Sequence, residues 1–343
     1  MLKKTIYTVF SIFVVLTFFS FAEENKKAAK TIIIDPGHGG YDQGAPGLFS
    51  TEAQITLALG LKLGEKMAKE MPEVKVLYTR TTDIIPGNMK NKNEGLRYRA
   101  DFANNSRADL FISIHCNAAG KAPGGWNEKR IVGYDEKVTY SGKGKKRKKI
   151  VKKIPIYETY YVENLAKGTE TFIWAARENA HKGKMVGDYS EFASHDEDST
   201  IVMPENDPLI NAMKLVYTKK YFLKSLKLAE LVQQEFAKSG RVNRGVKQRN
   251  DVGIWVLHAT GMPSILVEAG FISNKEEEEY MNSEKGQEEI VKDMANAIKV
   301  YLEGLDQPKT GSEEEKQETT IEEKTIAILN TKRNRTKIQA VVA

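Results

Sequence analysis

Two apolar runs in this chain each end in a histidine, and nothing else constrains its fold so tightly. They are Thr31-Ile-Ile-Ile-Asp35-Pro-Gly37-His38-Gly39-Gly40 and Asp109-Leu-Phe-Ile-Ser-Ile-His115. Both are β-branched or aromatic and are bounded by Gly, Pro or polar residues, the composition of short strands buried on both faces. In open α/β sheets ligands bind outside the carboxyl ends of the strands. Two imidazoles delivered to one sheet edge therefore begin a metal site. Glu52 lies between them in sequence, just before the periodic run Ile55, Leu57, Ala58 and Leu61, and can bring a carboxylate to that edge. Two His and one Glu is a ligand set of open, catalytic zinc sites, which keep a fourth position for water.

Strands and helices alternate after Thr31. Strands are expected at Thr31–Ile34, Val74–Thr79, Asp109–His115, Glu170–Trp174 and Ser264–Val267. Helical periodicity covers Glu52–Lys69, Asn93–Asn104, Lys219–Ala237, Glu276–Asn282 and Glu288–Leu302. This order predicts an α/β domain over 30–305 with a mostly parallel sheet and helices on both sides. Two insertions interrupt it, at about 120–168 and 183–211. The first has Lys143-Gly-Lys-Lys-Arg-Lys-Lys149 at its centre and a strand-like stretch, Ile154–Val162, that suits a hairpin. The second is acidic, with Asp188, Glu191, Asp196, Glu197 and Asp198. Residues 306–343 begin as a low-complexity, solvated tail.

The first residues belong to no fold. Lys3 and Lys4, an apolar stretch from Ile6 to Phe19, and Ser20-Phe-Ala22 read as a signal peptide over 1–22, with 23–29 as a polar lead-in. The apolar stretch is short for a stable membrane span. Export fits the single cysteine, Cys116, which can form no internal disulfide. Adjacent strand residues point to opposite faces, so Cys116 should turn away from a metal at His115 and lie buried and inert. The chain carries a net +6, unevenly placed: residues 121–168 hold 13 Lys/Arg against 5 Asp/Glu. Such a patch can bind acidic polysaccharide, anionic lipid or nucleic acid. Export to the envelope argues against nucleic acid.

His38 stands out among the histidines because Gly37, Gly39 and Gly40 surround it, and glycines permit the close backbone approach of a tight loop around an ion. His181, His195 and His258 lack a partner at a strand end and read as structural or incidental. A further strand, Ser264–Val267, ends at Glu268 and Gly270. A carboxylate at the end of a buried strand is costly unless paired. Beside a metal it can act as a general base for hydrolysis.

Asp35-Pro-Gly-His38-Gly-Gly, Glu52, Thr79-Arg80, Arg99, Ala108–Ala118 with His115 and Asn117, and Pro263–Asn274 with Glu268 occur in that order. Together they resemble the zinc-dependent N-acetylmuramoyl-L-alanine amidases of the amidase_3 type, from about Thr31 to Leu302. The resemblance implies a twisted sheet flanked by helices, Zn2+ held by His38, Glu52 and His115, and Glu268 as the catalytic glutamate. It implies cleavage of the amide between N-acetylmuramic acid and L-alanine of peptidoglycan, in cell-wall remodelling or daughter-cell separation. Asn117 would either hydrogen-bond substrate or hold its loop, and Arg80 and Arg99 would secure the scaffold. Some relatives cover the zinc site with a helix in a place like the second insertion, so self-inhibition relieved by an activator protein is an expectation here. The expected location is the periplasm, otherwise outside the cell or in the wall. A zinc peptidase acting on stem peptides is the rival enzyme reading. A non-catalytic wall-binding module is the rival outside enzymes, and the presence of all four site residues opposes it.

Overall fold

The structure is a computed structural model that describes residues 30–189, 208–251 and 253–306. In chain order the elements are β1 (Thr31–Pro36), α1 (Glu52–Glu70), β2 (Lys75–Tyr78), α2 (Lys92–Asn105) and β3 (Leu110–Asn117). A hairpin of β4 (Gly125–Ser141) and β5 (Lys148–Glu163) follows, then β6 (Thr169–Ile173), α3 (Asn179–Tyr189) and α4 (Pro208–Lys238). The chain continues through β7 (Asn243–Gln248), the short α5 (Trp255–His258), β8 (Ser264–Phe271), α6 (Lys275–Asn282) and α7 (Glu284–Asp306). It divides into two units, 1–298 and 299–343, and the sheet and the sites described below belong to the first.

The expected strands pair into one six-stranded sheet of order β2-β1-β3-β8-β6-β7. Neighbours are parallel except β6, which runs antiparallel to β8. Ile32, Ile33, Ile34, Phe111 and Ile112 are wholly buried, as double-sided burial requires. Register follows from the side-chain alternation. Ile33 pairs with Phe111, Asp35 with Ser113, Ser113 with Leu266, and His115 with Glu268, so these share one face. That face meets Ala103 of α2, Val256 and Leu257 of α5, and Phe172 and Trp174 in a single apolar cluster. The opposite face, carrying Ile34, receives α1 through Ile55, Leu59, Leu63 and Met67. Each such side chain contributes roughly 1.5–3 kcal/mol by leaving water.

Six elements differ from the sequence expectation. The hairpin is longer than Ile154–Val162: β4 and β5 pair from Gly125↔Glu163 to Ser141↔Lys148. Residues 183–189 of the second insertion continue α3, and α4 begins eleven residues before Lys219, at Pro208. Strand β7 was hidden because Asn243-Arg-Gly-Val-Lys-Gln248 is polar, as suits an edge strand with one neighbour. Helix α5 is a single turn, too short for any periodicity to reveal. The signal-peptide segment 1–22, the lead-in, residues 190–207 with His195 and most of the acids, and 307–343 lie outside the described residues.

Candidate metal centre

His38 follows β1 at the carboxyl edge of the sheet, Glu52 opens α1, and His115 ends the regular part of β3. The fold brings these side chains together: one ligand atom from each lies within 4.8 Å of the other two. His115 Nδ1 stands 2.7 Å from Glu52 Oε1, and His38 Nε2 stands 3.1 Å from Glu52 Oε2. The two imidazole rings meet edge-on at 5.0 Å. Glu52 also accepts the backbone N–H of Ala45 at 2.8 Å and of Cys116 at 3.1 Å. Burial alone would raise its pKa; the bonds and charges of His115 and His38 outweigh that and hold it well below the usual carboxylate range. His38 is likewise pulled down by burial but raised overall by Glu52 and Asp42. Asp42 Oδ2 lies 3.0 Å from His38 Nδ1, where it orients the ring.

Backbone freedom makes the loop possible at two points. A Cβ on Gly37 would stand 2.5 Å from the His115 ring. Gly44 has φ +68°, and a Cβ there would stand 2.5 Å from Glu52 Oε2 and 2.6 Å from His38. The loop is tied from behind by two buried arginines. Arg99 donates to the Asp35 carboxylate, to Pro36 O at 2.8 Å and to His38 O at 2.8 Å. Arg80 donates to Gly37 O and Ala53 O, both at 2.8 Å. Asp35 further accepts Thr79 Oγ1 at 2.6 Å and Ser113 Oγ at 2.7 Å. Both arginines therefore hold the scaffold, in line with expectation.

Glu268 lies beside His115 across the β3–β8 ladder and lines the same cavity, of about 450 Å³, as His38, Glu52 and His115. Its Oε2 is buried without a hydrogen-bond partner. Burial first, then the charge of Glu52, push its carboxyl up to about 8. Asn117 lines the cavity too, but its amide already donates to Glu170 at 3.0 Å and its carbonyl accepts the Ala118 N–H at 2.9 Å. These bonds serve the loop. Cys116 is buried on the other face against Met281, Sγ to Sδ 3.8 Å, and burial raises its thiol well above the ordinary value.

The donor set fits a divalent ion of the zinc class: two imidazoles, one anionic carboxylate, and an unpartnered buried carboxyl oxygen on the neighbouring strand. Sequence reasoning missed Asp42 and Glu170. Asp42 sits in a turn and carries no strand-end signal. Glu170 is the second residue of β6 and is held by Arg244 and Lys247, each at 2.6 Å, from the strand β7 that the sequence hid. A second donor cluster was also unforeseen: one ligand atom from each of Glu178, His181 and His258 lies within 4.8 Å of the other two. Two histidines that read as incidental are thus brought together.

An open-edged α/β sheet with three candidate metal donors and an adjacent protonatable glutamate is an arrangement that suits metal-assisted hydrolysis. The sequence pattern of the family described as "N-acetylmuramoyl-L-alanine amidase", Amidase_3, matches residues 32–300, and the chain belongs to that family. It is 29% identical to N-acetylmuramoyl-L-alanine amidase AmiC of Escherichia coli O6:H1 over 274 residues, covering 79% of this chain and 52% of that protein. Over a 95-residue stretch it is 37% identical to the germination-specific N-acetylmuramoyl-L-alanine amidase of Bacillus subtilis, covering 26% of this chain and 40% of that one. The crystal structure of an N-acetylmuramoyl-L-alanine amidase from Clostridium difficile 630 superposes with a TM-score of 0.49 at 24% identity, covering 81% of this chain and 98% of that one. The chain spans about half the length of that AmiC and of the probable N-acetylmuramoyl-L-alanine amidase AmiB of Haemophilus influenzae.

Proposed function

We propose that this chain is a zinc-dependent peptidoglycan amidase that hydrolyses the amide between N-acetylmuramic acid and the L-alanine of the stem peptide. The observation that carries the reading is the meeting of His38, Glu52 and His115 at one sheet edge with Glu268 beside His115. Family membership supports the substrate class. Bound by those three residues, zinc would lower the pKa of a water and polarise the scissile carbonyl. Glu268 takes the proton from the attacking water and delivers it to the leaving amine of L-alanine. A cation bound beside it would offset the burial and the Glu52 charge that raise its carboxyl, and so favour the ionised form that takes the proton. Asp42, Arg80 and Arg99 keep the imidazoles and their loop in place, and Asn117 with Glu170 holds the far rim of the cavity.

The protein works after export, in the periplasm or at the wall, in cell-wall remodelling or daughter-cell separation. Among the described residues no helix is long and apolar enough to cross a membrane. The acids and His195 of the second insertion give it a means of self-inhibition, by filling the open metal position until an activator protein withdraws them. Deleting 185–205 should then raise activity on purified sacculi, and unchanged or lower activity would remove that part of the proposal. For the centre itself, zinc content is the test. His38→Ala and His115→Ala should each lose the ion and all hydrolysis, whereas full zinc occupancy in both variants would contradict the ligand assignment.

A further inference from the structure

Glu178, His181 and His258 line no part of the cavity at Glu268. They form their own group, built from a short turn and two helices that the sequence pattern does not reveal. Glu178 closes the short turn Ala176–Glu178, and His181 follows in the first turn of α3. A spacing of three residues along a helical turn puts both side chains on one side. His258 comes from the end of α5, which packs on α3. One ligand atom from each of the three lies within 4.8 Å of the others. The two imidazoles meet at 5.7 Å with their planes at 62°.

Ring contact alone leaves a debt in this arrangement. His258 Nδ1 is buried with no hydrogen-bond partner, which is rare for a buried ring nitrogen. Glu178 keeps capacity as well: Oε1 accepts Arg177 Nε at 3.1 Å, and a carboxylate offers two oxygens. Beside the group lies a cavity of about 290 Å³ lined by His181, His258, Trp255 and Asp101. The opposing influence is the buried Lys182 ammonium. It is committed elsewhere, to Leu257 O and Met262 O at 2.7 Å, Ser264 Oγ at 3.0 Å and Thr260 Oγ1 at 3.1 Å. Burial favours its neutral amine, and to the extent that it is protonated it makes the group a weaker cation site than the one at His38, Glu52 and His115, without removing the donors.

We propose that Glu178, His181 and His258 form a second site for a divalent transition ion of the zinc class, which ties α3 to α5. Two imidazoles and a carboxylate are donors that suit such an ion, and the adjoining cavity leaves room to complete its shell with water. The ion is structural in effect. Helix α5 and its lead-in give Ile254, Trp255 and Val256 to the wall of the catalytic cavity, and Trp255 lines both cavities. Fixing His258 to the start of α3 therefore fixes that wall. It also anchors the segment from which the acidic insertion departs.

The test is ion stoichiometry on the full mature chain, by calorimetric titration with Zn2+ and by Co2+ absorption, in wild type, His181→Ala, His115→Ala and the double variant. His181 is exposed, so its replacement leaves packing intact. The proposal expects two ions in wild type, one in each single variant and none in the double variant. It also expects a rise in Tm on filling the weaker site that His181→Ala abolishes. An unchanged ion count between wild type and His181→Ala overturns it. Ions lost in His181→Ala but not in His115→Ala would instead overturn the catalytic-centre assignment and leave this one standing.

Discussion

At Glu268 burial and charge act in the same direction. The carboxyl is pushed up to about 8 because burial and the neighbouring Glu52 both disfavour its ionised form. A raised carboxyl pKa means that the folded protein binds a proton that the unfolded chain has already released. Stability from this group is full below the unfolded value and is lost as pH rises through about 8. In metal-free protein, Glu268→Gln should therefore match wild type near pH 4 and exceed it by roughly 1–3 kcal/mol at pH 9. Urea melts at the two pH values check this; parallel pH profiles for both proteins would contradict it. Gly44 makes a second residue-scale prediction. At φ +68°, Gly44→Ala costs about 1–2 kcal/mol of backbone strain and drives a methyl against Glu52 and His38. Zinc bound at His38, Glu52 and His115 should be lost with the fold retained, leaving only the ion at the second site, and full occupancy of both would show that the loop yields. The four central residues were legible in sequence because each follows an apolar run or opens a helical one, where chemistry and pattern coincide, although in the fold Glu268 lies within β8, which continues to Phe271. Asp42, Glu170 and the pair His181 and His258 were not, because only tertiary packing brings them to their partners.

At the scale of elements, the β4–β5 ribbon stands apart from the main sheet as its own two-stranded unit. It leaves Ile131, Tyr134, Tyr140, Ile156 and Tyr161 exposed, between lysines that discourage edge pairing. Its tip, Lys145–Lys149, is the densest positive charge in the chain. Replacing those five residues with Ser should weaken pelleting with purified sacculi at low salt by several-fold and matter little at high salt, where charge is screened. Equal pelleting at low salt would remove the ribbon from wall binding. The sequence located this insertion by charge but showed only part of its strand structure, because its exposed strands carry little alternation of apolar and polar residues. Strands buried on both faces were readable, whereas the polar edge strand β7 and the one-turn helix α5 were not.

For the whole molecule, the sheet order explains why residues so far apart in sequence share one site. Strands β1, β3 and β8 are adjacent, so their carboxyl ends deliver His38, His115 and Glu268 to one edge, and α1 returns over it with Glu52 at its start. The parallel layers were legible from alternation of strand and helix; the order of strands was not, since it depends on which pairs close in space. The central claim is hydrolysis at the lactyl–L-alanine amide with Glu268 as base. It is tested most directly by digesting purified sacculi with the zinc-loaded mature chain and with Glu268→Ala, followed by mass spectrometry of the released products. Intact stem peptides beginning with L-alanine, released by wild type and reduced at least 100-fold in the variant, are the predicted result. Shorter peptides cut within the stem, or equal release by the variant, would contradict it.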